Sequence, residues 1–376
     1  MDDDMLIGRS ISQKEAKDMG VAIRKTQGGT VRVGSEFHLP EDSYGAAILA
    51  IVKEFTEIRS SDTQATTVNV IRCVFALVIL ILNLLLQFSC LHFVEFFVVS
   101  PSVHHVQTAY QLFHRSVFNE LGEFQHEAWQ DYPNKDELCQ IAMTNKLFYY
   151  SILLLWTISC LQEFRTAQRL VVNISHVPHA ELGDKMFLDD EDTGHQSVIA
   201  ITRSVRWMLY IAVCIPKIVI SFMLMRLGLR WLSATTSFED MVMNAIAMNF
   251  VVQIDELLYH FALPVHYRKQ VADTSIFFDE NVESGVVAEF HAYRRSAIYV
   301  FAAIIIVVLY AELIQDVLPS TVFEATNHCH NYLHHHLQPV CERPWAQHLK
   351  VFTEGLSALS TAHCYPYGAD AELQSD

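Results

Sequence analysis

Residues 244 to 264 read NAIAMNFVVQIDELLYHFALP, and this stretch decides how many times the chain crosses a membrane. Most of its residues are Ala, Ile, Met, Phe, Val and Leu, as in a membrane-spanning helix. It also carries the polar or ionisable side chains of Asn244, Asn249, Gln253, Asp255, Glu256 and His260. Inside a bilayer such groups are costly and face protein or water, not lipid. We therefore interpret the stretch as a spanning helix with one side turned away from lipid.

The composition separates this 376-residue chain from most soluble proteins. Hydrophobic residues make up 51% of it and charged residues 18%, whereas soluble domains usually carry about 25% charged residues. The net charge of −16 argues against a nucleic-acid partner, which requires a basic surface. The sequence contains no nucleophile elbow, phosphate-binding glycine loop or dinucleotide fingerprint. We therefore expect neither enzymatic activity nor a cofactor.

Five apolar blocks are long enough to span a bilayer, which takes about 20 residues. They lie near 68–99, 141–161, 205–232, 238–264 and 296–318. Only SATTS separates the third block from the fourth, and Ser237 followed by Asp240 is typical of a helix N-terminus, so these two blocks form a helical hairpin.

The predicted fold is all-α and polytopic, with about five transmembrane helices in a membrane domain over 68–318. A cytosolic N-terminal region, 1–67, precedes this domain and contains an amphipathic helix near 41–59. A Cys- and His-containing tail, 319–376, follows it on the extracytosolic side.

The polar residues of the fourth block sort by helical position. Asn249, Gln253, Glu256 and His260 form a stripe about 60° wide, hereafter the polar stripe. Asp255 lies on a different face. Across the hairpin, Lys217 lies opposite Val251, so its ammonium group can reach Asp255 or Glu256 and neutralise it. These residues are predicted to line a pathway for ions or protons, or else to hold helices together by hydrogen bonds.

The distribution of basic residues and cysteines predicts the orientation. Lys and Arg residues near the helix ends are more frequent on the side of the N-terminus, which favours a cytosolic N-terminus. The opposite side holds Cys139, Cys329, Cys341 and Cys364. An even set of cysteines in an oxidising compartment favours disulfides, of which three pairings are open. These two arguments agree only if the fourth block spans the membrane.

The tail contains HCHNYLHHHLQPVC at 328–341, whose imidazole and thiol groups are potential metal ligands. The cysteines lack paired Cys-x-x-Cys spacing, so disulfides are favoured and no metal site is predicted. Metal binding and pH sensing by the histidines are weaker alternatives.

Two functional classes follow from these patterns. The first is an ion or proton channel or transporter in the plasma membrane or an endomembrane, with the polar stripe as its pathway. The second is a non-catalytic scaffold or receptor-like subunit. An intramembrane enzyme would need two catalytic groups at one depth, and the pattern offers no good set. The partners we expect are the lipid bilayer, an ion or small solute and, because five helices enclose only a small vestibule, further copies of the chain.

Overall fold

The computed structural model describes residues 22–25, 31–54, 63–140, 146–180, 187–189, 196–278, 285–318, 328–329 and 332. Its helices, labelled α1 to α12 in chain order, are Ser43–Leu49, Thr63–Phe93, Ser100–Val117, His126–Gln130, Lys135–Gln140, Lys146–His176, Arg203–Leu209, Ile215–Ser233, Phe238–Val252, Ile254–Ala262, Val265–Ala272 and Gly285–Leu309. The π-helical segments Ala50–Glu54, Val94–Val99, Tyr210–Cys214 and Tyr310–Ile314 continue α1, α2, α7 and α12. The prediction of an all-α polytopic membrane protein is confirmed.

Among the described residues, four helical stretches are long and apolar enough to cross a membrane. They are Thr67–Val117, Leu147–His176, Arg203–Ser233 and Glu289–Ile314. The pair α9–α10 is a fifth candidate, since it passes the same test but bends by 47° at Gln253. The chain therefore has four spans, or five if the bent pair crosses as one.

Four of the observed helical stretches are longer than the predicted blocks, whereas the fourth block is divided into α9 and α10. The first stretch covers 51 residues, which at 1.5 Å per residue is about 75 Å and far exceeds the roughly 30 Å apolar thickness of a bilayer. Its last part, α3, buries Val103, Val106, Tyr110 and Phe113 along one face. Hydropathy detects only the apolar part of such a helix, because the polar turns beyond the bilayer remain helical without being hydrophobic.

The hairpin between the third and fourth blocks has the predicted helix start. Ser237 Oγ accepts from the backbone N–H of Asp240 at 3.0 Å and donates to the Asp240 carboxylate at 2.7 Å. The Ser237 hydroxyl thus accepts one of the first backbone N–H groups of α9, which have no partner within the helix, and the Asp240 carboxylate holds that hydroxyl in place.

A small five-stranded sheet accompanies the helices. Its strands are β1 Ala22–Lys25, β2 Val31–His38, β3 Phe187–Asp189, β4 Gln196–Val198 and β5 Thr274–Phe278, in the order β1-β2-β5-β4-β3. The β4–β5 pair is parallel, and the other pairs are antiparallel. The sheet thus joins three connecting segments that the orientation prediction places on one side of the membrane.

The chain divides into two compact units. Unit 1 comprises 1–91, 159–224 and 250–302, and unit 2 comprises 92–158, 225–249 and 303–376. The chain passes between the units five times, and each passage lies inside a helix: α2, α6, α8, α9 and α12.

Helix α1 is buried on all sides. Every residue from Ser43 to Val52 is buried, and the helix contacts α10 and α11. The described part of the predicted amphipathic helix near 41–59 therefore has no solvent-exposed polar face, because other elements of unit 1 surround it. Residues 55–59 lie outside the described part of the chain.

The outward faces of the spanning helices are apolar. Large side chains such as Ile71, Leu85, Phe222, Phe250 and Phe301 are more than half exposed. In water, so much apolar surface is unfavourable. The same surface suits contact with lipid chains, which supports a protein embedded in a bilayer.

Candidate functional site

The described part of unit 1 contains a cluster of charged groups around Lys217, hereafter the Lys217 site. The Lys217 ammonium Nζ lies 2.6 Å from Asp42 Oδ2, 3.6 Å from Asp255 Oδ2 and 3.8 Å from Glu163 Oε2. The side chains of Lys217, Asp42 and Asp255 are at most 7% exposed, and that of Glu163 is 28% exposed. Three carboxylates thus share one ammonium group away from solvent.

Each member of the Lys217 site comes from a different part of the chain. Lys217 lies near the middle of Arg203–Ser233, just after Pro216 and the π-helical segment Tyr210–Cys214. Glu163 lies in α6 and Asp255 in the first turn of α10. Asp42 directly precedes α1. The site therefore ties the N-terminal segment to two membrane-spanning stretches and to the bent pair α9–α10.

Asp42 has a second role as the N-cap of α1. Its Oδ1 atom accepts the backbone N–H of Gly45 at 2.7 Å, while Oδ2 accepts from Lys217. A side chain at position 45 would not fit, because a Cβ atom there would lie 1.9 Å from the carbonyl oxygen of Pro40. Glycine at this position therefore lets the cap form and presents the other carboxylate oxygen to Lys217.

The carboxylates of Asp255 and Glu163 have fewer close donors than that of Asp42. Asp255 Oδ1 accepts the backbone N–H of Glu256 at 3.0 Å, and Asp255 Oδ2 is 3.6 Å from the ammonium group. Glu163 has the longest of the three ion pairs. Asp42 therefore has a close donor at each carboxylate oxygen, whereas the ammonium group lies 3.6 Å from Asp255 and 3.8 Å from Glu163.

The structure places the polar stripe away from the Lys217 site. Gln253, Glu256 and His260 are exposed, Asn249 is half-buried, and the bend at Gln253 separates Asn249 from the other three. His260 Nδ1 lies 2.9 Å from a guanidinium nitrogen of Arg268. Of the six predicted pathway residues, only Lys217 and Asp255 come together. The prediction that the stripe lines a pathway stays a prediction.

Sequence reasoning missed Asp42 and Glu163. Glu163 lies two residues beyond the predicted end of the second block, where it counted as part of a loop. Asp42 lies in the segment predicted to be cytosolic. The signal that would have found Asp42 is the pattern DSYGAAILAIV, an N-cap residue followed by an uninterrupted small and apolar run.

Unit 2 contains a second group of charged residues. The guanidinium group of Arg230 lies 2.6 Å from Glu95 Oε1 and 3.3 Å from Asp316 Oδ2. One turn further along α8, Ser233 Oγ lies 2.7 Å from the Tyr149 hydroxyl. Arg230 is therefore paired with two carboxylates close to the C-terminal end of α8.

The cysteines predicted to form disulfides are described in part. Cys139 of α5 is bonded to Cys329, with their Cα atoms 5.1 Å apart. Cys341 and Cys364 lie outside the described residues. Cys73, Cys90, Cys160 and Cys214 are not disulfide-bonded. The described residues contain no group of three or more His, Cys, Asp or Glu side chains arranged to hold a metal ion.

Comparisons with protein-family models, with curated proteins and with solved structures found no match to this chain. The Lys217 site must therefore be interpreted from its own geometry and charge.

Proposed function

We propose that this multi-pass membrane protein transports protons, or another ion coupled to protons, and that the Lys217 site is where the proton binds. The observation that carries the proposal is the charge balance of the site. Three carboxylates within 4 Å of one ammonium group have an excess of two negative charges when all are ionised.

Such an excess is costly at this position. An uncompensated buried charge costs several kcal/mol, which is comparable with the roughly 5–15 kcal/mol that stabilises a whole protein domain. Proton binding to one carboxylate removes part of this cost. Asp255 and Glu163 are the favoured acceptors, because Asp42 already accepts hydrogen bonds at both oxygens.

The position of the site suits exchange across a bilayer. Lys217 and Glu163 lie near the middle of their spanning stretches. Ionisable groups at membrane depth are typical of proton relays and ion pathways. The proposal is for transport and not for catalysis.

Proton flux into liposomes tests the proposal. Purified protein is reconstituted around a pH-sensitive dye, a pH gradient is imposed, and an ionophore supplies the counter-charge. We expect flux from the wild-type protein and at least a tenfold loss in Asp255→Asn and Glu163→Gln. The matched control is Glu256→Gln, since Glu256 neighbours Asp255 but is exposed, and it should retain flux.

Two other outcomes of the flux experiment would contradict the proposal. Loss of flux in Glu256→Gln alone contradicts the Lys217 site and favours the polar stripe as the pathway. Equal leak from all variants and from protein-free liposomes contradicts transport. That result favours the scaffold or receptor-like role, in which the ion cluster only holds α1 against the spanning helices.

A further inference from the structure

The Lys217 ammonium group contacts an aromatic ring in addition to the three carboxylates. Lys217 Nζ lies 4.7 Å from the centroid of the Tyr44 ring, a distance at which an ammonium group is attracted to the ring face. Tyr44 is 1% exposed and lies two residues after Asp42. The same short segment therefore supplies both the closest carboxylate and the ring that contacts the ammonium group.

Two amides of the first spanning helix hold Tyr44 in place. The Tyr44 hydroxyl donates to Gln87 Oε1 at 3.1 Å, and Asn83 Nδ2 donates to the same oxygen at 3.4 Å. Gln87 is 3% exposed and Asn83 is fully buried. Burial raises the pKa of the Tyr44 hydroxyl far above its usual value of 10.0, so the hydroxyl stays protonated and remains a donor to Gln87.

The side chains of Asn83, Gln87 and Tyr44 thus form a connected row that ends at the Lys217 ammonium group. Asn83 and Gln87 are four residues apart, so they lie on one face of α2. Their polar groups have no role in lipid contact, since both are buried inside unit 1. Through these contacts, α2 is connected to the Lys217 site.

We propose that Tyr44 is a positioning residue of the Lys217 site: fixed by Gln87 and Asn83, its ring holds the Lys217 ammonium group against the carboxylates and so sets the pH at which the site releases its proton. The inference rests on the proposed proton transport and names the residues that tune it.

The sign of the effect follows from the groups that face the site. Asp42, Asp255 and Glu163 face Lys217, and Glu256 interacts electrostatically with Glu163. Lys217, Asp255 and Asp42 interact electrostatically with the Tyr44 hydroxyl. When the ring is removed, the ammonium group is held less firmly and neutralises the carboxylates less well. The carboxylates then keep their proton to a higher pH.

The test is the pH profile of proton flux in liposomes. Tyr44→Leu removes ring and hydroxyl, and it should raise the midpoint of the profile by about half to one and a half pH units, the range that a cation–π contact supports. Tyr44→Phe keeps the ring and loses the hydrogen bond to Gln87, so it should raise the midpoint less. Gln87→Met breaks the same hydrogen bond. The double variant Tyr44→Phe with Gln87→Met should therefore shift the midpoint no further than either single substitution.

Two results would overturn the inference. One is an unchanged midpoint in Tyr44→Leu while Asp255→Asn still abolishes flux, since transport then stands without a role for Tyr44. The other is additive shifts for Tyr44→Phe and Gln87→Met, which would show that the two residues act separately. If Tyr44→Leu does not fold, Tyr44→Phe and Gln87→Met still decide the second point. Failure of transport itself would appear as equal leak from the wild-type protein, from all variants and from protein-free liposomes.

Discussion

Lys217 contributes the positive charge that three neighbouring carboxylates share. Lys217→Met keeps much of the side-chain volume and removes that charge, which leaves the carboxylates without a counter-ion. We expect a loss of about 3–5 kcal/mol in the free energy of unfolding, as for other broken buried ion pairs. Denaturant unfolding of the purified protein measures the loss.

Lys53→Met is the matched control for this change. Lys53 belongs to the same unit and donates a hydrogen bond to Gln196 at its partly exposed position. Its substitution should cost about 1 kcal/mol or less. Equal losses in both variants would show that Lys217 has no special role in stability.

Single residues were predictable from the sequence where their surroundings were unambiguous. Lys217 and Asp255 were identified because each is an ionisable residue within an apolar block. The hairpin geometry predicted that Lys217 can reach Asp255 or Glu256, and the structure places Lys217 Nζ 3.6 Å from Asp255 Oδ2. Asp42 and Glu163 were not predictable in this way, because hydropathy assigned both to segments outside the predicted spanning helices and only the tertiary fold brings them to Lys217.

At the scale of helices, a close approach between α6 and α8 depends on Gly228. A Cβ atom at this position would lie 2.2 Å from the indole ring of Trp156, in unit 2. We expect Gly228→Ala to destabilise the protein by about 1–3 kcal/mol, the usual cost of overpacking. The measurement is thermal or denaturant unfolding of the variant against wild type.

A second background controls for the helix propensity of alanine. In Trp156→Leu the ring is absent, so adding Gly228→Ala should cost much less or stabilise the helix. The difference between the two backgrounds is the coupling energy of the pair. The same cost in both would mean that the contact with Trp156 does not limit position 228.

Helices were easier to predict than their ends or the strands. The five apolar blocks largely coincide with observed helices, because hydrophobic length is a local property of the sequence. Residues 141–145 of the second block lie outside the described part of the chain, Gln253 interrupts the fourth block, and the last residues of the fourth and fifth blocks are not helical. The bend at Gln253 and the extension of the first stretch to Val117 depend on surroundings that hydropathy does not register. The sheet was not predicted, since β2 pairs with β5 from a distant part of the chain and β3 and β4 have three residues each.

Across the whole molecule, the described residues contain four stretches that are long and apolar enough to span a membrane, or five if the bent pair α9–α10 crosses as one. The predicted count of five therefore depends on residues 244–264, which contain the bend at Gln253. Exposed large apolar side chains on the spanning helices suit a bilayer. The orientation, with a cytosolic N-terminus, remains a prediction from the distribution of Lys and Arg.

If the Lys217 site holds a proton that it can release, infrared difference spectroscopy of the reconstituted protein between neutral and alkaline buffer detects that proton without relying on flux. We expect a carboxylic-acid carbonyl band at neutral pH that disappears in alkali. The band should survive in Glu256→Gln and be lost or displaced in Asp255→Asn or Glu163→Gln. A neutral spectrum with only ionised carboxylates, or a band that neither of these last two substitutions alters, would contradict proton binding at the Lys217 site.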